Sequence, residues 1–160
     1  MPGYYQLVVT RTRNRATTEG NSVEYRVTNP PMPPVLTDDM YVGSKFIALS
    51  DLALGFEKLK LTWKTENLEA DGFEVQWYLS HKNEKSEEYT DILIFEQELV
   101  GSAFSESVFN PTDEKFNEIY NQAGVNREGL YYAIVATKLN NKISAFTQKP
   151  ELTDMIVVMD

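Results

Sequence analysis

Over most of the chain apolar and polar residues alternate with a period of two, the pattern of strands with one buried face. Near the N-terminus Tyr5, Leu7 and Val9 alternate with Tyr4, Gln6, Val8 and Thr10, and after the turn signal Glu19-Gly20-Asn21 the alternation resumes at Val23, Tyr25 and Val27. This predicts a two-stranded hairpin. Leu59, Leu61 and Trp63 alternate with Lys58, Lys60 and Thr62, and beyond Asp71-Gly72 so do Phe73, Val75 and Trp77, which predicts a second hairpin. Further strands are expected over Tyr89 to Phe95, Ala103 to Phe109, Leu130 to Lys138, Ile143 to Thr147 and Met155 to Met159, with Asn140-Asn141 as a turn pair. Only between Pro111 and Gly124 does the period change. There Phe116, Ile119, Tyr120 and Ala123 fall at i, i+3, i+4 and i+7 and predict one short amphipathic helix.

Strands with turn signals at intervals of about 8–12 residues argue for an antiparallel β-sandwich. The run Asn29-Pro30-Pro31-Met32-Pro33-Pro34 interrupts the pattern. Its four prolines fix φ and remove backbone donors, so it reads as an extended linker. The expected organisation is an N-terminal β arm over 1–28, a Pro-rich linker over 29–34 and a sandwich domain over 35–160. A hairpin with no second layer is marginal in water, so the arm needs a surface to lie against.

Charge sharpens this division. The 160 residues hold 15 Lys+Arg and 24 Asp+Glu, a net charge of −9. Residues 1–34 carry Arg11, Arg13, Arg15 and Arg26 against Glu19 and Glu24, a balance of +2 that leaves −11 on residues 35–160. Such a field disfavours nucleic-acid backbones and anionic lipid. No stretch approaches the roughly 18 apolar residues of a membrane span, and Met1-Pro2-Gly3-Tyr4-Tyr5-Gln6 lacks the pattern of an export signal. Without cysteine there is no disulfide framework, thiolate metal site or cysteine nucleophile, and synthesis in the cytoplasm is expected.

Spacings that carry catalysis or cofactors are missing. The eight glycines form no Gly-x-Gly, so neither a dinucleotide fingerprint nor a phosphate loop is encoded. His81 is the sole histidine and reads as a loop residue at a strand end rather than a base. Asp38-Asp39, Asp51 and the Glu84 to Glu88 cluster lack the alternating acidic loop of a Ca²⁺ site and read as solvated faces. Trp63 and Trp77 share the apolar phase of their strands, which favours core packing over stacking on sugars. Asn110-Pro111-Thr112 is disqualified as a glycosylation site by its proline. Arg11, Arg13 and Arg15 alternate, so an extended strand places them along one side about 6.5–7 Å apart. The row is either a solvated hairpin tip, a grip on an acidic protein surface or, least in keeping with the acidic body, a phosphate contact.

The run Gly129-Leu130-Tyr131-Tyr132-Ala133-Ile134-Val135 resembles the penultimate strand of immunoglobulin-like domains, with Ala133 where antibody-type domains carry cysteine. Trp77 matches the core tryptophan of the third strand in that family, and Trp63 falls where the partner cysteine of the second strand would be. The resemblance implies that Tyr131 is a corner tyrosine whose hydroxyl bonds back to the chain leading into its strand; Arg127 stands where the family usually has aspartate. The fold class expected is all-β, an immunoglobulin-like antiparallel sandwich with an N-terminal hairpin arm and one short helix before the penultimate strands.

A cysteine-free domain of this kind with a small N-terminal extension resembles those on the virions of tailed bacteriophages. That resemblance implies a non-enzymatic structural protein of the virion, made in the host cytoplasm and present in many copies. It would dock on a major capsid or tail protein, without metal, cofactor, nucleic acid or membrane. The partner-binding residues expected are Tyr4, Tyr5, Leu7, Val9, Arg11, Arg13, Arg15, Val23 and Tyr25. The alternative is a carbohydrate-binding or adhesion module, and an enzyme is the third reading.

Overall fold

The computed structural model describes residues 3–13, 16–21, 25–27, 30–41, 45–54, 58–66, 68–109, 117–125 and 127–160. The chain divides into two compact units, Met1–Pro30 and Pro31–Asp160.

In the first unit, β1 (Gly3–Tyr5) pairs antiparallel with β4 (Tyr25–Val27), and β2 (Val8–Arg13) with β3 (Ala16–Asn21). Arg13 lies opposite Ala16, Val9 opposite Gly20 and Tyr5 opposite Tyr25. Glu19-Gly20-Asn21 is therefore part of a strand and not the hairpin turn expected from its residue types. The β-branched Thr10, Thr12, Thr17 and Thr18 favour the extended pairing, and they outweigh one glycine. A Cβ added at Gly20 would meet nothing within 4 Å, so no close approach demands glycine there.

In the second unit, β5 (Val35–Tyr41), β7 (Leu59–Lys64) and β10 (Glu106–Phe109) form a three-stranded antiparallel sheet in the order β10-β7-β5. The other sheet contains β6 (Phe46–Ala48), β8 (Gly72–Lys82), β9 (Tyr89–Val100), β11 (Gly129–Leu139) and β13 (Ile156–Met159) in the order β6-β13-β11-β8-β9, with β12 (Lys142–Ile143) hairpinned onto β11. Among the described residues only β6 and β13 run parallel. The described residues also include two short α-helices, α1 (Leu49–Ala53) and α2 (Asn117–Ala123), and a 3-10 turn at Leu152–Asp154, so α1 joins the single helix expected. The predicted helix is described only from Asn117 onward; Phe116 lies outside the described residues. With β5, β7 and β10 in the places of strands A, B and E, and β8, β9, β11 and β13 in those of C, C′, F and G, this unit is an immunoglobulin-like β-sandwich.

β7 and β8 belong to different sheets, which corrects the hairpin expected from Asp71-Gly72. Their apolar faces meet across the core instead, with the Trp63 and Phe73 rings 5.2 Å apart. Asp71 stitches the crossing: its N–H donates to the Lys138 carbonyl at 2.7 Å, its carbonyl accepts from Gly101 N–H at 2.7 Å, and its carboxylate accepts from Asn140 N–H at 2.7 Å. A Cβ on Gly72 would sit 2.3 Å from the Leu99 carbonyl oxygen, so glycine serves close strand approach and not a turn.

Trp77 is fully buried at the centre of the core. Its ring lies 6.3 Å from Tyr41 and 6.1 Å from Phe109, both on the facing sheet, and Phe109 stacks on Phe95 at 5.1 Å. The indole Nε1 donates to Ser107 Oγ at 3.0 Å, and Ser107 Oγ donates on to Gln97 Oε1 at 2.7 Å. One relay thus ties β8, β10 and β9 together. The Tyr131 hydroxyl donates to the Arg127 carbonyl at 2.7 Å, the corner bond expected. Because a backbone carbonyl accepts it, arginine in place of aspartate leaves the bond intact.

The apolar run Ile92-Leu93-Ile94-Phe95 lies inside β9, which continues five residues beyond Phe95 to Val100. A bulge explains the run: Trp77 pairs with Phe95 but Tyr78 with Leu93, so Ile94 is extra and is buried out of phase. The strand expected over Ile143 to Thr147 is regular only through Lys142–Ile143. From Ser144 the chain still runs beside β11, but hydroxyls supply half of the ladder. Thr137 N–H donates to Ser144 Oγ (2.9 Å), Val135 N–H to Thr147 Oγ1 (3.1 Å) and Ala133 N–H to the Tyr41 hydroxyl (3.1 Å). In return Ser144 N–H and Thr147 N–H donate to the carbonyls of Thr137 and Val135. Asn140 and Asn141 take positive φ (51° and 61°), the type I′ geometry of a tight hairpin.

Trp77→Ala is expected to lower the unfolding free energy by about 3–5 kcal/mol in urea denaturation, a large share of a typical domain's total of about 5–15 kcal/mol. Gly72→Ala should depress the melting temperature because backbone has to move, while Gly20→Ala should leave it unchanged; calorimetry of the two variants distinguishes these roles of glycine.

Candidate interaction surfaces

The arm presents apolar side chains to solvent. Tyr4, Leu7 and Val9 are 65%, 62% and 56% exposed, and Val8 is exposed as well. Leu7 precedes β2, on which Val9, Arg11 and Arg13 occupy alternate positions. Tyr4 and Tyr5 lie on β1 and Tyr25 on β4, a two-stranded pairing separate from that of β2 with β3. Arg15 and Val23 lie outside the described residues.

The sandwich has a second surface that alternation alone did not single out: the side of the six-stranded sheet turned away from the core. On β8 the residues between buried Phe73, Val75, Trp77 and Leu79 are Glu74, Gln76 and Tyr78. Register sets Tyr132 and Leu93 beside Tyr78, Ile134 and Glu96 beside Gln76, and Ala136 and Glu98 beside Glu74. Tyr78 and Tyr132 stack with centroids 5.1 Å apart and planes at 11°. Lys149 lies over the Tyr132 ring at 5.3 Å and donates to Asp91 Oδ2 at 2.6 Å. The Tyr78 hydroxyl donates to Gln76 Oε1 (2.8 Å), whose amide donates to Glu96 Oε1 (3.1 Å). The sequence signal for this surface is an aromatic in the outward phase beside one in the inward phase: Tyr78 after Trp77, and Tyr132 after Tyr131.

Electrostatics are ordered by the same contacts. Burial pushes the Asp91 carboxyl up, but hydrogen bonds, led by that from Lys149, outweigh it and hold the group below the usual carboxylate range. Tyr132 is raised well above an ordinary phenol, first by burial and then by the neighbouring Asp91 carboxylate. Lys138 is raised chiefly by its hydrogen bond with Glu98.

His81 lies within β8 opposite Thr90, a strand residue and not the loop residue expected. With Asn83, Thr90, Ile92 and Val125 it lines an open cleft of about 600 Å³ at one end of the sandwich. Trp63 and Trp77 are both buried, so neither offers a face to a sugar. Among the described residues no group of three or more His, Cys, Asp or Glu is arranged to hold a metal ion. No helix among them is long and apolar enough to cross a membrane.

No protein-family model matches the chain, and no curated protein matches it. Among solved structures it is similar to the crystal structure of the chicken CNTN1 FN1-FN3 domains, at 13% identity and a TM-score of 0.37. The alignment covers 97% of this chain and 43% of that one, so the chain spans less than half of that structure's length.

A depressed carboxyl pKa means that the ionised form is favoured by folding. Its contribution to stability is therefore present above the usual aspartate pKa and is lost as pH falls through the lower folded value. Lys149→Met should raise the folded Asp91 pKa toward the ordinary aspartate value, removing the stability this carboxylate contributes above that value and flattening the fall in stability on acidification, which NMR titration of the Asp91 carboxyl carbon alongside acid unfolding will measure.

Proposed function

We propose that this chain is a non-enzymatic interaction module, an immunoglobulin-like sandwich fastened to a larger protein assembly through its N-terminal arm. The exposed apolar row on the arm carries this reading. Tyr4 stands on the β1–β4 pair, Val8 and Val9 on the β2–β3 pair and Leu7 just before it, two-stranded elements that gain little stability by themselves and whose apolar side chains gain most by being covered. In this reading residues 1–28 attach, the prolines of 29–34 keep the attachment extended, and 35–160 form the displayed body. Tyr4, Tyr5, Leu7, Val9, Val23 and Tyr25 supply apolar contact, and Arg11, Arg13 and Arg15 supply charge. The finer form of the proposal is a multicopy protein of a phage particle, held on the capsid or tail. An adhesion role draws on a separate observation, the Tyr78–Tyr132 stack on the outer sheet surface. Loss of binding on Tyr78→Ala, with a protein or glycan ligand, would identify that second reading.

Exposed ion pairs contribute only about 0.2–1 kcal/mol each, so apolar contact should dominate attachment. The double variant Leu7→Ser/Val9→Ser is expected to be lost from the high-mass assembly in native lysate, whereas Arg11→Ser/Arg13→Ser should attach more slowly and with a weaker dependence on salt. Size-exclusion profiles of tagged chains check both, and sedimentation of purified particles with or without the chain checks the phage form. Normal incorporation of the Leu7→Ser/Val9→Ser variant would refute attachment through the arm.

A further inference from the structure

We propose that the surface receiving the arm is the outer side of the six-stranded sheet in a second copy of this chain, which rests on the attachment reading above and names its partner. That side changes character along the strands. Half-buried Tyr78 and Leu93, which is 38% exposed, make an apolar row, with Tyr132 buried beside them under Lys149; the next row has Gln76 and Glu96, and the one beyond it Glu74 and Glu98. Glu74 and Glu98 face each other directly across β8 and β9, a like-charge pairing that costs stability unless cations are brought to it. Lys138 reaches Glu98 and is also raised by Glu74, so one cation serves a row of two carboxylates with a third, Glu96, beside them.

β2 carries the complementary series at the same spacing. Val9, Arg11 and Arg13 follow each other at two-residue steps of about 6.5–7 Å, the same steps that separate Tyr78, Gln76 and Glu74 on β8. Set along β8, the arm brings Val9 to the Tyr78 and Leu93 row, Arg11 to Gln76 and Glu96, and Arg13 to Glu74 and Glu98. Net charge favours this over contact between bodies: each body carries −11 and repels its like, while residues 1–34 carry +2. The size is also suitable, since a stable interface uses about 20–30 residues a side, and the arm contains 28.

The native chain has no cysteine, so single thiols report the contact directly. Full-length Val9→Cys chains mixed with Leu93→Cys chains under mild oxidation should give a mixed disulfide-linked dimer. Val9→Cys with Val108→Cys, on the exposed side of the other sheet, should not. In sedimentation equilibrium of the full chain, Arg11→Glu/Arg13→Glu and Glu74→Arg/Glu96→Arg should each weaken self-association by about tenfold, and mixing the two variants should restore it. Equal cross-linking at both positions, failure of the mixture to recover, or a purified chain that stays monomeric would overturn the proposal. A monomeric purified chain whose Leu7→Ser/Val9→Ser variant is still lost from the native assembly would overturn only this choice of partner and leave attachment through the arm standing.

Discussion

Two sheets without a disulfide between them depend on side chains that span the gap, and in this sandwich Trp77 is the chief of these. Its ring fills the space between β8 and the facing Tyr41 and Phe109, and its Nε1 reaches Ser107 on the opposite sheet. An indole N–H buried without an acceptor costs about 1–3 kcal/mol, so this bond preserves what burying the ring contributes. Ser107 satisfies it and donates its own O–H to Gln97 Oε1, so a small polar residue on a four-residue strand becomes a fixed point of the core. Position follows from this link. With β10 held by Ser107 and Phe109, β7 and β5 lie beside it, and the three-stranded sheet is placed over the larger one.

The free side of β11 is the second constraint, and its solution determines what the outer surface displays. Beyond Tyr131 the last strand no longer pairs with β11, which leaves the N–H groups of Ala133, Val135 and Thr137 in need of acceptors. Three hydroxyls from Tyr41, Thr147 and Ser144 provide them. Because these acceptors are side chains, residues 144–150 need not hold a regular strand register. The segment is thereby able to lay Lys149 across Tyr132 and against Asp91. A local hydrogen-bond requirement thus creates the ordered cluster of charge and aromatic surface on the outside of the sheet.

The sequence was readable wherever alternation was clean and local. Leu59 to Trp63, Phe73 to Trp77 and Leu130 to Lys138 are strands that side-chain phase alone identifies, and the corner bond of Tyr131 is the one the resemblance to immunoglobulin-like domains implies. What failed was inference from residue type about events that depend on a distant partner. Asp71-Gly72 has the composition of a hairpin turn, yet its glycine answers to the Leu99 carbonyl 27 positions away. Ile92 to Phe95 has the pattern of a strand end, yet a bulge absorbs the surplus residue and β9 goes on. β5, β6 and the short helix α1 have too little periodicity to stand out; sheet pairing makes β5 and β6 strands. On the arm, Leu7 and Val9 were visible as residues with no layer of their own to cover them. The outer-surface tyrosines, which sit in the polar phase of core strands, were not.

Charge separation between the two units has a physical consequence of its own. A body of −11 stays apart from its copies at long range, and salt shortens that repulsion to about 8–10 Å without abolishing contact chemistry at closer range. A basic, apolar ribbon joined to it by prolines meets the requirements of selective attachment. In the proposed attachment, arginines would orient the approach and apolar side chains would hold the contact once water is excluded. Apolar ribbons without such charge would associate with many surfaces, and charged ribbons without apolar residues would let go at physiological salt. Both lie on one strand, with Val9 two residues from Arg11 and four from Arg13, so in the proposed attachment a single register would satisfy both conditions on a surface that offers an apolar row and an acidic row at the spacing of a β-sheet.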